Sequence, residues 1–364
     1  MENFDKDWDA VSIDTVFDFE RGKENNMASL NEGNTPLVSA KKMNNGVKGF
    51  VSNPKKIIKG GNVISLNNDG DGGAGLAYYQ PMDFALDTHV TALHPKCDIP
   101  AEALLYMTAS ISKQHSVFGH GRSISLPRAK RLKNMLPVNN AREPDFEYMT
   151  SYTKSKRTIM QKKYRAYLEE QISELNGCTE VSSISNVDWH PFYISQIFTE
   201  IERGKRLKKA DQTQGKVPYV SSTALNNGVD GFIEASSGTR VFGNCISLAN
   251  SGSVGSAFYE PFDFVASDHV THLKNESFSK WVYLFLTVAI EKQKGNFNFN
   301  REINDTRIRN MKIMLPVCDN GTPDFEYMEQ YAKDLMLKKY KQYRAFLETK
   351  DKGARVQASQ MQQR

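Results

Sequence analysis

At 364 residues, the chain is long enough for two or three domains, each with its own core. A hydrophobic content of 39% with 24% charged residues fits a soluble globular protein, and no apolar run approaches the roughly 18 residues of a membrane span. A formal net charge of +5 confines any nucleic-acid surface to local patches. The opening MENFDKDWDA is acidic and polar, so no secretory signal is expected there. Four widely separated cysteines (Cys97, Cys178, Cys245, Cys318), with no Cys-x-x-Cys pair, fit reduced thiols in a cytoplasmic protein.

In chain order, VSAKKMNNGVKGFV (residues 38–51) predicts a strand, an Asn-Gly turn and a second strand. NVISLNND predicts a buried strand running into a Gly-rich turn, DTHVTALH alternates as a strand does, and AEALLYMTASISKQ predicts a short apolar helix. PDFEYMTSYTKSKRTIMQKKYRAYLE (144–169) predicts a long helix. It opens on a proline and two first-turn carboxylates and holds no internal Gly or Pro. At about 1.5 Å per residue it would span roughly 40 Å.

The same series then returns. The Glu20-Arg21-Gly22-Lys23 core matches Glu202-Arg203-Gly204-Lys205, and Asn44-Asn45-Gly46-Val47 matches Asn226-Asn227-Gly228-Val229, both at an offset of 182. The offset falls to 180 at His89-Val90-Thr91 and to 179 at the two MLPV segments (135–138 and 314–317). Ten of fifteen positions are identical between 135–149 and 314–328, leading into PDFEYMEQYAKDLMLKKYKQYRAFLE (323–348). So small a drift means two copies of one fold, with a period too long for a solenoid. Each half therefore reads as a mixed α+β domain followed by a long helix. Phe325, Met328, Ala332 and Leu335 recur at helical spacing and Tyr343, Phe346 and Leu347 resume it; Phe146, Met149, Ile159, Met160, Tyr167 and Leu168 do the same in the first copy. Lys and Gln interrupt both stripes. The helices thus pair imperfectly or each cap their own domain.

No catalytic constellation stands out. His89 and His269 repeat in an HVT context near Asp87 and Asp268, without the further ligands a metal or acid–base site needs. A histidine with one hydrogen bond in a strand accounts for both. NDGDGGAG (68–75) lacks the Lys-Ser/Thr of a P-loop and the final Glu of an EF-hand, and its counterpart is NSGSVGS, as expected of a variable contact loop. The cations say more. GRSISLPRAKRLKNMLPV and NREINDTRIRNMKIMLPV pair Arg122 with Arg301, Arg128 with Arg307, and Lys130 with Arg309. Lys41 and Lys42 precede Asn44 and Asn45, whereas Thr223 and Ala224 precede Asn226 and Asn227. Arg and Lys neutralise phosphates, and Arg and Asn read base edges. These residues are the DNA-binding candidates, and a solvated surface with ordinary charge pairing is the competing reading.

The duplicated, ordered set over about residues 8–348 resembles the specificity subunits of type I restriction–modification systems and their type IIB relatives. It comprises domains opening near Trp8 and Trp189, the Gly…Ser…Leu…Leu-Pro run, and a long helix after each domain. The resemblance implies target-recognition domains at 1–143 and 189–322 and spacer helices at 144–175 and 323–350. The turn formers of NGCTEVSSISNVD, which holds no helical pattern, put a linker at 176–188, and the Gln-rich, apolar-poor end predicts a disordered tail at 351–364. Each domain would read one half of a bipartite double-stranded DNA target. The helices would pack as an antiparallel, coiled-coil-like spacer and dock two methyltransferase subunits, with Phe146, Met149, Tyr167, Phe325, Met328 and Phe346 as contacts. The chain itself would hold no cofactor and no metal; S-adenosylmethionine and Mg would belong to the partners. Helix openings of Pro-Asp-Phe-Glu-Tyr depart from the Pro-Leu…Glu-Gln common in type I subunits. That leaves open a separate modification subunit with a nuclease/translocase subunit, or a fused nuclease–methyltransferase chain. A protein- or glycan-gripping scaffold, and a small enzyme built around His89 and His269, are the readings from other classes.

Overall fold

The computed structural model describes residues 6–70, 73–118, 122–236, 238–297 and 302–362. The chain forms two compact units, Met1–Tyr164 and Arg165–Arg364.

In the first unit, strand Trp8–Ser12 pairs antiparallel with Lys133–Pro137, Ala10 opposite Met135. Period-two alternation buries Asn134 and Leu136 and leaves Met135 out. A four-stranded antiparallel sheet follows, in the order Phe17–Arg21, Val90–Pro95, Val63–Asn67, Ala77–Gln80. All five residues of Val63–Asn67 are buried because both faces of this sheet are covered. Ile64 and Leu66 pack with Phe17, Leu93 and the helix Ala101–Ser112 through Leu104 and Met107. Val63, on the other face, packs with Val38, Phe84 and Leu86 of a second sheet. That sheet joins Val47–Val51, Glu32–Val38, Phe84–Leu86 and Ile57–Ile58, with Leu37 and Val38 parallel to Ala85 and Leu86. Gly22 of the repeated ERGK segment has its reason here. A Cβ at Gly22 would lie 2.0 Å from the Asp87 carbonyl oxygen, and one at Gly204 would lie 2.3 Å from that of Ala266.

The second unit repeats the plan. Trp189–Tyr193 pairs with Lys312–Pro316. Glu200–Arg203, Val270–Lys274, Cys245–Ala249 and Ala257–Glu260 form the four-stranded sheet, and Lys280–Glu291 is the covering helix. Its second sheet keeps three strands, and a single Phe242–Phe264 bridge stands where Ile57–Ile58 pairs in the first unit.

The long helices run Phe146–Leu175 and Phe325–Gln362. Asp145 and Asp324 cap them, accepting from the Tyr148 and Tyr327 amides at 2.8 Å. The prolines lie one residue earlier and bridge Val138 and Val317, so they precede the first helical turn instead of forming it. Lys6 donates to Asp145 at 2.7 Å and holds that carboxyl below its ordinary range, with help from the Tyr148 amide.

The second helix also continues past residue 350, where a disordered tail was expected. DKGARVQASQMQ holds one glycine, no proline and several helix formers, and low apolar content does not by itself end a helix. The apolar stripes split by function. Met149 and Met328 are fully buried, each in the core of its own domain, with Phe146 and Phe325 packed beside them. The later turns of the first helix pair with the second. Leu168, Ile172 and Leu175 bury against Leu337, Leu347 and Trp281. Glu169 meets Arg344 at 3.3 Å while Cys178 meets Gln330 at 3.3 Å, so the run is antiparallel.

Candidate nucleic-acid interface

Each domain gathers three loops at one place. The first is the Asn-Asn-Gly turn. Asn44, Asn45 and Gly46 have φ of 55°, 53° and 77°, and Asn226, Asn227 and Gly228 have 50°, 53° and 78°. Three successive left-handed residues demand Gly and the short amides that tolerate this region. The Ser39 amide donates to the Gly46 carbonyl, and that of Ser221 to the Gly228 carbonyl, both at 2.9 Å. Asn45 is committed to the frame, since its Nδ2 donates to the Tyr79 carbonyl at 2.8 Å. Asn44 and Asn226 project from the surface.

A buried asparagine joins the glycine-rich loop to the segment before the short helix and to the start of the central strand. The Asn68 amide donates to the His89 carbonyl at 2.9 Å, its carbonyl accepts from the Ile124 amide at 2.6 Å, and its Oδ1 accepts from Thr91 Oγ1 at 2.9 Å. Asn250 repeats the two backbone links with His269 and Ile303 at 2.8 and 3.0 Å, and its Oδ1, once the side-chain amide is turned to satisfy its neighbours, accepts from Thr271 Oγ1 at 2.9 Å. In the amide orientation that satisfies its neighbours, Asn250 also accepts from Arg203 Nε at 3.0 Å. Asn67 Nδ2 then ties the loop to the Lys41 carbonyl at 3.1 Å, and the Ser253 amide to the Ser222 carbonyl at 2.9 Å.

The candidate cations divide on this frame. Arg122, Lys130 and Lys42 are exposed, and Lys41 is half-buried. Arg128 is exposed but turned back, its guanidinium donating to the Ser123 carbonyl at 2.9 Å. Arg307 does the same to Glu302 at 2.6 Å, and Arg309 reaches the Ile201 carbonyl at 3.3 Å. Arg301 lies outside the described residues. Sequence reasoning missed Arg21 and Arg203. Arg203 donates to the Ile303 carbonyl at 3.3 Å and faces Asp305 at 3.6 Å. It also missed Lys205, Arg206, Lys208 and Lys209, all exposed; five cations in the seven residues 203–209 were the available signal.

His89 and His269 sit on turns just before their strands, not within them. His89 Nδ1 meets Asp69 at 2.8 Å, and this bond raises its pKa; His269 Nδ1 meets Ser251 Oγ at 2.7 Å. Among the described residues, no three His, Cys, Asp or Glu side chains gather as a metal-ligand set, and no helix is long and apolar enough to cross a membrane.

Of the partner-contact candidates, Met149 and Met328 are sealed in domain cores and Phe146 and Phe325 pack on those cores, because the first helical turn anchors each helix to its domain. Tyr167 and Phe346 remain 45% and 49% exposed. The second unit also carries an apolar cleft of about 870 Å³ lined by Trp189, Phe285, Val288, Met314, Tyr331 and Leu335. The matching place in the first unit is more polar, with Lys156 over the Tyr152 ring and Arg157 paired to Glu102 at 3.1 Å.

The pattern that defines the type I restriction modification DNA specificity domain matches residues 5–169 and 186–343. The specificity subunit S.BcgI of the type II restriction enzyme BgcI from Heyndrickxia coagulans is 32% identical over 325 residues, covering 88% of this chain and 92% of that one. A type I restriction–modification S subunit from M. genitalium is similar in structure at 16% identity, with a TM-score of 0.47 over 96% of this chain and 95% of that one. The HsdS subunit from Thermoanaerobacter tengcongensis is similar at 13% identity, with a TM-score of 0.32 over 94% and 91%. Two matched domains spanning most of the chain place it in the type I restriction–modification DNA specificity family, as a non-catalytic DNA-recognition subunit with two recognition domains.

Proposed function

We propose that each domain reads one half of a bipartite duplex target with the loop end described above. The observation that carries this is a duplicated frame under unlike loops. The Asn68 and Asn250 links are the same, while Lys41-Lys42-Met43 faces Thr223-Ala224-Leu225 and the glycine-rich loops differ. Equal frames with different exposed side chains would give an asymmetric target. On this reading Asn44 and Asn226 read bases, and Lys41, Lys42, Arg122, Lys130, Arg301 and Arg309 meet phosphate or base edges. Arg128 and Arg307 join them through the loops they hold, and Asn45 and Asn227 through the turn.

The paired helices set the gap between half-sites. Tyr167, Phe346 and the cleft at Trp189 receive modification subunits, two per complex, and those subunits bring S-adenosylmethionine, Mg and the base-flipping chemistry. A nuclease/translocase subunit, or a nuclease fused to the methyltransferase, completes the assembly, which works on DNA in the cytoplasm. Selection of duplexes by the chain assembled with its modification subunit, repeated across salt concentrations, tests this. An enriched bipartite sequence with salt-dependent affinity supports it, and salt-insensitive indifference to DNA would favour a protein- or glycan-binding scaffold.

A further inference from the structure

Gln80 and Glu260 occupy matching positions at the ends of Ala77–Gln80 and Ala257–Glu260, and they are 3% and 0% exposed. Gln80 Nε2 donates to Ser65 Oγ and to the Asn45 carbonyl, both at 3.0 Å. An amide N–H thus fastens the Asn-Asn-Gly turn of the first domain to its sheet. The second domain keeps the serine, and Ser247 Oγ donates to Glu260 Oε1 at 2.8 Å. Glu260 Oε2 is buried and has no partner. The turn rests on the strand alike in both domains. A Cβ at Gly46 would lie 3.3 Å from the Tyr78 ring, and one at Gly228 would lie 3.5 Å from that of Phe258. The acceptor matched to Asn45 is therefore the Asn227 carbonyl. A carboxylate cannot donate to it and leaves the buried Glu260 Oε2 without a partner, which is costly, whereas a carboxylic acid has the required O–H.

We infer that Glu260 is held as the neutral acid, its Oε2–H donating to the Asn227 carbonyl, which makes it a positioning residue for the turn that reads the second half-site. This rests on the reading of that turn given above. Burial pushes the Glu260 carboxyl up to about 7, against the opposing pull of the Ser247 hydrogen bond. The titratable neighbours do not take its proton. Cys245, opposite in register, is pushed up by burial to about 12. Lys274 and Glu200 lie beyond it on the same sheet, with Lys274 paired to Glu276 at 2.5 Å. His272, across from Ser247, is biased toward the neutral form by burial. The turn itself brings Asn226, Asn227 and Gly228, none of which titrates. Because the folded pKa lies above the ordinary carboxylate value of 4.5, the contribution is complete below that value and fades as pH rises through about 7.

The test uses the full chain assembled with its modification subunit and compares wild type, Glu260→Gln and Gln80→Glu between pH 6 and 8.5. Affinity is read for the selected target and for targets scrambled in one half. Wild type should lose discrimination at the second half-site above pH 7, by up to about tenfold per pH unit, while the first half-site stays flat. Glu260→Gln should flatten the second profile, and Gln80→Glu should make the first half-site pH-sensitive. An unchanged profile in Glu260→Gln, or a ¹³C carboxyl shift showing Glu260 ionised at pH 6, would overturn the proposal. Asn226→Ala separates the two ideas. If it leaves second-half selection intact at every pH, the reading assigned to the turn has failed, whatever Glu260 is seen to do by NMR.

Discussion

Arg307→Ala separates two roles that a cation beside a recognition loop can play. The guanidinium donates to the Glu302 carbonyl at 2.6 Å, as that of Arg128 does to Ser123 at 2.9 Å, each reaching five residues back. Such a charge-assisted bond contributes roughly 1.5–3 kcal/mol when protected, and solvent exposure lowers it to about 1 kcal/mol here. If the bond braces the loop for binding, its loss should weaken the selected target about fivefold, since about 1.4 kcal/mol is tenfold. The loss should be the same at every salt concentration, and random DNA should be affected less. A phosphate contact behaves differently. Its removal should lower the slope of log affinity against log salt by about 0.9 and weaken all sequences together. Filter binding or fluorescence anisotropy from 50 to 200 mM salt distinguishes the two, with Arg307→Lys as control because it keeps the charge but not the guanidinium fork. The brace is refuted if Arg307→Ala loses about one unit of slope on all duplexes while Arg307→Lys matches wild type.

Met149→Ala and Met328→Ala each empty a fully buried core site and should cost about 2–5 kcal/mol, seen as a lower unfolding midpoint, with no selective effect on partner affinity. Asn45→Ala removes the bond to the Tyr79 carbonyl and should destabilise by about 1 kcal/mol while blurring selection at the first half-site only. Inserting one heptad into the first long helix between residues 150 and 165 keeps the pairing face and adds about 10 Å, so the selected gap should widen by up to about three base pairs. Sequencing of methylated sites in a host carrying the variant shows the gap, and an unchanged gap in an active protein would leave the helices as a docking surface alone.

The repeat made most of the fold legible, because an offset sliding only from 182 to 179 forces each element of the first half to recur in the second. The Asn-Asn-Gly turns and the long helices were readable for local reasons, since a turn's Asn-Gly and a long run of helix formers without Gly or Pro leave their mark within the segment itself. The parallel pairing of Leu37 and Val38 with Ala85 and Leu86 was not, because nothing local links strands so far apart in the chain. The apolar stripe of each long helix was visible, but its division was not. Met149 and Met328 serve a domain core while Leu168 and Leu347 serve the helix pair, and spacing is the same for both tasks. At the loops, sequence marked the cations but not their direction. Arg122 and Arg128 look equivalent in the chain, yet one stands exposed and the other is turned onto the Ser123 carbonyl. Glu260 needed the burial and the unpartnered oxygen that only the fold reveals.

The central claim is that two recognition domains read two half-sites independently. Replacing residues 1–140 with the corresponding domain of a relative of different specificity, and sequencing the sites methylated by the assembled complex, tests it most directly. The account predicts a new first half-site, with the second half-site and the gap retained. A change in both half-sites would contradict it, because neither the Asn226–Gly228 turn nor the Asn250 frame would have been altered.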